Sequence, residues 1–288
     1  AIVFNHFNPD GMVYLKLDMG EDSVERYKNK DSTFVKFVHK QLFRTADFDL
    51  LTVESSRVYR LIRSLQPFAG YNNVTYLLPN GVDPHDYSSK PLEVASKRDI
   101  IIHAGRLGAR PKGTDDIIHA FNSVVEQTGS HGWELRLLGD FDPGFRDQYY
   151  QLLKDQPEAG ARVRHVGFVD HGDLEAHFRV AKYLAVPSYR EGFPFVPIEA
   201  GVFGVLPICY DLSYVEDLTN DGQFGWACEV GDLDGFTRLL SEAMKDGHKK
   251  DEAEAYSAYV RKQFDWIRLC TKLDRLFQEV RNERKEYP

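Results

Sequence analysis

Short apolar runs alternate with amphipathic stretches along most of the chain. The runs predict strands over 12–17, 50–53, 74–78, 100–104, 134–138, 163–166, 183–186, 206–210 and 225–230. Amphipathic stretches between them predict helices over 32–44, 56–64, 114–127, 145–154, 174–181 and 233–245. From Glu252 onward the pattern is helical throughout, with Phe264, Trp266, Ile267, Leu273 and Leu276 as one buried stripe. Near-continuous apolar strands alternating with helices imply α/β structure with parallel sheets covered on both faces. The stretch 79–97, rich in Pro, Asn, Gly, Ser and mixed charge, reads as a linker between two units.

The segment from Pro187 to Ala200, Pro-Ser-Tyr-Arg-Glu-Gly-Phe-Pro-Phe-Val-Pro-Ile-Glu-Ala, carries the most chemistry. It predicts a buried strand ending at Pro187, a tight turn, and a helix beginning near Pro194, where the missing N–H of proline costs nothing. The first N–H groups of a helix have no intrahelical partner, so such a turn suits an anion. Glu191 and Glu199 are eight residues apart, about 12 Å at most if helical. The competing reading makes them ordinary exposed acids favoured by the helix dipole.

Arg106 and Lys112 follow the strand over 100–104, at the end where open α/β sheets hold ligands. Cations there suit an anionic ligand; the plainer alternative is a pair of solvated loop cations. The Gly108 to Gly113 stretch lacks the Gly-Lys-Ser/Thr triplet of a P-loop, which argues against an ATPase. Asp47-Phe-Asp49 and Asp140-Phe-Asp142 have a spacing that holds metal and diphosphate in other folds, with a loop role the stronger reading. The histidines form no HExxH and no Cys/His cluster, so no metal site is expected.

Composition narrows the classes. The chain has 288 residues, 42% hydrophobic and 28% charged, enough for a sizeable core. A net charge of −8 and a pI near 5.7 argue against nucleic acid as the main partner. Cys209, Cys228 and Cys270, widely spaced in mostly apolar surroundings, read as reduced structural thiols of a cytoplasmic chain. The basic amphipathic stretch 32–44 reads as a sheet-covering helix, with peripheral contact to an anionic membrane as the alternative.

Read together, Gly105-Arg-Leu with Lys112-Gly113, Gly139-Asp140, Val166-Gly-Phe-Val169, Glu191-Gly-Phe-Pro-Phe-Val-Pro-Ile-Glu199, Leu206 to Tyr210, Gly225 and Gly231-Asp232 resemble, in order, family 4 of the retaining glycosyltransferases, which have the GT-B fold. The resemblance covers about residues 75–285. It implies a partial acceptor-side α/β domain over 1–95, a complete doubly wound, Rossmann-like nucleotide-sugar-binding domain over 96–264, and a helix over 265–288 packing back on the first domain. It also implies that part of the acceptor-side domain lies upstream of Ala1, so that this chain binds donor but transfers poorly.

The implied activity is metal-independent transfer of a hexose from a nucleotide sugar to a hydroxyl of a carbohydrate or lipid-linked acceptor, with no cofactor. A donor-binding module without transfer is the alternative. The resemblance makes Glu191, Arg106 and Lys112 catalytic and extends the donor site over Gly105, Phe168, Val169, Gly192, Phe193, Pro194, Phe195 and Glu199. It gives Arg106 and Lys112 the diphosphate, Glu191 the sugar, Glu199 the ribose, and Phe168 and Val169 the border of the base. On the acceptor side it points to His6, Lys16 and Asp18.

Overall fold

The computed structural model describes residues 11–28, 48–65, 68–83, 92, 94–129, 132–246 and 249–286. His6, Asp47 and the stretch 32–44 lie outside them. The first unit holds β1 (Tyr14–Leu17), α1 (Glu21–Lys28), β2 (Leu50–Val53), α2 (Ser56–Arg63) and β3 (Thr75–Leu77). Its strands form a parallel sheet in the order β1-β2-β3. Only the central strand, β2, is buried along its whole length; β1, paired on one side, is partly exposed.

The second unit runs β4 (Ile100–Ala104), α3 (Thr114–Thr128), β5 (Glu134–Leu138), α4 (Phe145–Asp155), α5 (Pro157–Gly160), β6 (Val163–Gly167), α6 (His171–Val180), β7 (Tyr183–Val186), α7 (Phe195–Val202), β8 (Leu206–Tyr210), α8 (Val215–Thr219), β9 (Trp226–Cys228) and α9 (Leu233–Asp246). All six strands are parallel, in the order β6-β5-β4-β7-β8-β9. The chain winds outward from β4 through β5 to β6, then returns to place β7 on the other side of β4. That reversal opens a crevice above the carboxyl ends of β4 and β7, where this architecture holds its ligands.

Three expectations need correction. The stretch 79–97 is no open linker at its start. Asn80, Gly81 and Val82 are buried, the Val82 N–H donates to the Phe264 carbonyl at 2.8 Å, and the Val82 carbonyl accepts from Trp266 at 3.0 Å. A Cβ on Gly81 would come 2.6 Å from the Phe264 oxygen, so the glycine there serves close packing. The C-terminal helical run is broken at Phe264 and Asp265 into α10 (Lys250–Gln263) and α11 (Trp266–Glu286). Ile267 is 50% exposed; Leu269 and Val280 share the inner face with Leu276 instead, because the break resets the helical phase. Cys209 is buried and Cys228 half-buried, but Cys270 is exposed on α11.

α11 lies against the first sheet: Phe277 meets Tyr14 edge-on at 5.5 Å, and Lys272 donates to the Leu77 carbonyl at 2.7 Å. α2 docks on α8 of the second unit. Asp217 accepts from the Ser56 N–H at 2.7 Å and its hydroxyl at 2.5 Å, so it supplies the first turn of α2 from across the interface. Arg60 grips Glu216 with two nitrogens, at 2.9 and 2.6 Å, and Arg57 reaches Asp211 at 2.9 Å. No described helix is long and apolar enough to cross a membrane.

Candidate functional site

Two loops cross the crevice, one after β4 and one after β7. The first opens at Gly105, whose φ of +144° favours glycine and whose open face carries the Lys112 stem at 3.6 Å. It then makes a short 3-10 turn, Arg110–Lys112, and enters α3 through Gly113 at φ +63°. The second loop runs from Pro187 to Pro194, and Pro194 is the N-cap of α7.

The loops are zipped together. The Tyr189 N–H donates to the Pro111 carbonyl at 2.8 Å, and a side chain on Gly113 would collide with the Pro187 carbonyl. The hydroxyls of Tyr189 and Tyr210 both donate to Asp116, at 2.8 and 2.6 Å. Burial and the Asp116 carboxylate push Tyr189 up to about 12, which keeps it a donor.

Beneath them, His103 is fully buried, and burial lowers it to about 4, so it stays neutral. Its Nδ1 lies 3.0 Å from the Ala185 carbonyl, which only accepts, so that nitrogen carries the hydrogen. Nε2 then accepts from Thr114, 3.1 Å away, whose oxygen accepts from the Gly108 N–H at 2.9 Å. One neutral histidine thus ties the first loop and β7 to β4.

Lys112 and Glu191 meet at the mouth of the crevice, Nζ to Oε1 2.6 Å, and Ser188 also donates to that oxygen at 2.9 Å. Arg106 is 70% exposed and pairs with Asp142 at 3.2 Å. Asp142 therefore faces a cation, and its N–H and the Asp140 carbonyl are tied to Leu107. No group of three His, Cys, Asp or Glu among the described residues could hold a metal ion.

The first N–H groups of α7, at Phe195 and Val196, point out of the helix end, while Pro197 contributes none. Phe193 is 2% exposed, packed against Tyr214 and Phe264 at 5.6 and 5.4 Å, and its carbonyl accepts from Asn80 at 2.7 Å. Its ring is an anchor, and only its N–H is left for a ligand. Phe195 is 46% exposed at the helix start.

Glu199 is buried one turn into α7, 3.3 Å from His171 at the start of α6. That histidine closes the short segment after β6 in which Phe168 stands 70% exposed and Val169 half-buried. His171 thus ties the segment after β6 to α7.

The first unit supplies the opposite wall. Asp18 lies directly against Gly192, and a side chain on Gly20 would strike the Glu191 carbonyl. Lys16 donates to Asn80 at 2.6 Å and pairs with Glu54 at 2.9 Å. Sequence reasoning missed Glu54, Asn80, Asp116, His103 and His171. Asn80 lay in the stretch read as a linker and His103 in the strand over 100–104, and the others carried no local signal.

The family model for Glycosyl transferases group 1 matches residues 86–263. Over 197 residues, 67% of this chain, it is 24% identical to the D-inositol 3-phosphate glycosyltransferase of Corynebacterium efficiens, covering 46% of that protein. Over 256 residues, 88% of this chain, it is 26% identical to the glycogen synthase of Mycobacterium tuberculosis, covering 59% of that protein. The chain thus spans about half the length of these curated relatives. The structure overlays 96% of the chain on 75% of Anabaena HepE in complex with UDP, with a TM-score of 0.74 and 16% identity. That overlay shows the fold, which is GT-B.

Proposed function

The chain belongs to the group 1 glycosyl transferases, and from that premise we propose that it transfers a hexose from a nucleoside-diphosphate sugar to a hydroxyl acceptor, with retention and without metal, as in family 4. The observation that carries this is the meeting of Lys112, Glu191 and the α7 N-terminus at the strand-order reversal. Arg106 and Lys112 take the diphosphate, assisted by the N–H groups of Gly192, Phe193 and Phe195. An arriving diphosphate competes with Glu191 for the Lys112 ammonium. Once released, the Glu191 oxygen accepts from a hexose hydroxyl. Glu199 takes the ribose hydroxyls, with Phe168 and Val169 beside the base, and UDP is the nucleotide held by the Anabaena neighbour.

Transfer with retention needs the acceptor oxygen to attack from the face the leaving group departs. The departing phosphate oxygen takes the acceptor proton, and the cations offset the charge it gathers. The acceptor wall is Lys16 and Asp18, and the acceptor is a carbohydrate or lipid-linked hydroxyl.

Calorimetry with UDP and UDP-glucose tests the assignment. Glu199→Ala is expected to weaken UDP itself by about 1.5–3 kcal/mol, the usual cost of losing a charged hydrogen bond. Glu191→Ala is expected to leave bare UDP unchanged or tighter, since Lys112 loses its competitor, while weakening the sugar-bearing donor. Equal losses of UDP in both variants overturn the roles. Repeating the titration with EDTA is expected to change UDP affinity by less than about tenfold, or 1.4 kcal/mol. A larger loss restores the Asp140/Asp142 metal reading. Binding of UDP-sugars with no turnover on any hydroxyl acceptor favours the binding module.

A further inference from the structure

Glu54 closes β2 with a carboxyl group that is 2% exposed. Its two oxygens differ. Oε1 is met by Lys16 at 2.9 Å, whereas Oε2 is buried and receives no hydrogen bond from any described donor. Oε2 faces the place where the first unit touches the second. A Cβ on Gly192 would lie 3.1 Å from Oε2 and would collide with Asp18 Oδ1, so both carboxyl groups press on the same glycine.

The charged groups around Glu54 are Lys16 and Asp18 from β1 and its exit. Behind it lies a cavity of about 720 Å³ that it shares with the titratable groups Asp217, Tyr259, Arg268, Lys272, Arg275 and Glu279. Lys16 is the near cation, and it is divided between Glu54 and Asn80. A carboxylate buried beside a second carboxylate is disfavoured as an ion; a proton shared between them removes the repulsion and gives the orphaned oxygen a partner. The balance of forces agrees: burial, with Asp18 adding to it, pushes Glu54 up to about 7 although Lys16 pulls it down.

We propose that Glu54 is a positioning residue of the acceptor wall: its Oε2 carries a hydrogen and donates it to Asp18, holding that exposed carboxylate against Gly192 of the donor loop to accept a hydrogen bond from the hydroxyl being glycosylated. The role in transfer rests on the glycosyltransferase reading; the shared proton does not. Below about pH 7 the proton is present and the wall is set. As pH rises through 7, Glu54 ionises, repels Asp18 and loosens it from Gly192. The linkage has the same sign. The folded state binds this proton more tightly than the unfolded chain does, so the Glu54 contribution to stability falls as pH rises from the ordinary carboxylate range to about 7.

The test is the wild type with Glu54→Gln and Glu54→Ala, followed from about pH 5 to 9. Transfer is read as acceptor KM and kcat, and UDP affinity is read separately. Glutamine keeps an N–H for Asp18 at every pH; alanine keeps none. The wild-type acceptor KM is expected to rise about tenfold across pH 7, the scale of one unit of titration. Glu54→Ala should show the raised KM at all pH values, and Glu54→Gln should restore the low KM and flatten the profile, all with UDP affinity within about twofold. A wild-type pH profile in Glu54→Gln, or a parallel loss of UDP affinity, overturns the proposal. Infrared difference spectra of wild type against Glu54→Gln read the proton without any activity. A carboxylic-acid carbonyl band that disappears as pH rises through 7 supports the shared proton even in a chain that transfers nothing. Its absence at pH 6 rejects it whatever the chain transfers.

Discussion

Replacing Lys112 by alanine is expected to lower kcat by about 10²–10³-fold, the usual loss when one pre-placed charge is removed from a developing oxyanion. The fold should be untouched. Lys112 is 30% exposed, it lies over the bare face of Gly105, and its charge is spent on Glu191 rather than on any core group. Surface substitutions of this kind usually change stability by no more than about 0.5 kcal/mol. The check is turnover at saturating UDP-sugar beside a thermal melt of each protein. A loss below about tenfold, with an unchanged melt, removes Lys112 from the diphosphate site.

Gly139→Ala is expected to do the reverse, destroying stability at a residue that holds no charge. Gly139 sits at φ +133° at the end of β5, and an added Cβ would collide with the carbonyl oxygen of Gly105 on the neighbouring strand. That oxygen is backbone. Both glycines are also fixed by ladder-like bonds, Gly105 N–H to Leu138 at 3.0 Å and Gly139 N–H to Gly167 at 2.7 Å. Nothing flexible can yield, so steric overlap adds to backbone strain. A cost of at least about 3 kcal/mol is expected, with a fall of some 6–12 °C in Tm.

Gly144→Ala is the control. Its φ of +91° carries similar strain, but the space around it is open, so it should cost only about 1 kcal/mol. Comparable melts for the two variants would show that the collision is relieved. Because Gly105 opens the Arg106 loop, residual folded Gly139→Ala protein should also bind UDP weakly.

The buried strands were legible because a parallel strand covered on both faces needs apolar side chains at every position. Leu206–Tyr210 has them throughout and Ile100–Ala104 at all but His103, and both appear at their predicted limits. Edges were less legible: the expected strand over 225–230 is reduced to Trp226–Cys228, which pairs with β8 alone. The Pro79-Asn80-Gly81 stretch has the composition of a linker, yet Asn80 and Gly81 are buried by Phe193 and Phe264, partners far along the chain. Periodicity likewise read through the break at Phe264 and placed Ile267 inside.

By itself, the amino-acid sequence determined which loops carry charge and where the strand, turn and helix follow one another, because those depend on neighbours within a few residues. Arg106, Lys112, Glu191 and Glu199 were named from that local pattern. The tertiary structure decided that β4 and β7 are adjacent, which brings Lys112 within 2.6 Å of Glu191. It also decided that Asp18 and Glu54 press on Gly192. An acid after an apolar strand reads locally as the start of a turn. Its burial, its shared proton and its reach to another sheet arise only when the two units close on each other, since desolvation and charge pairing depend on distance in space and not along the chain.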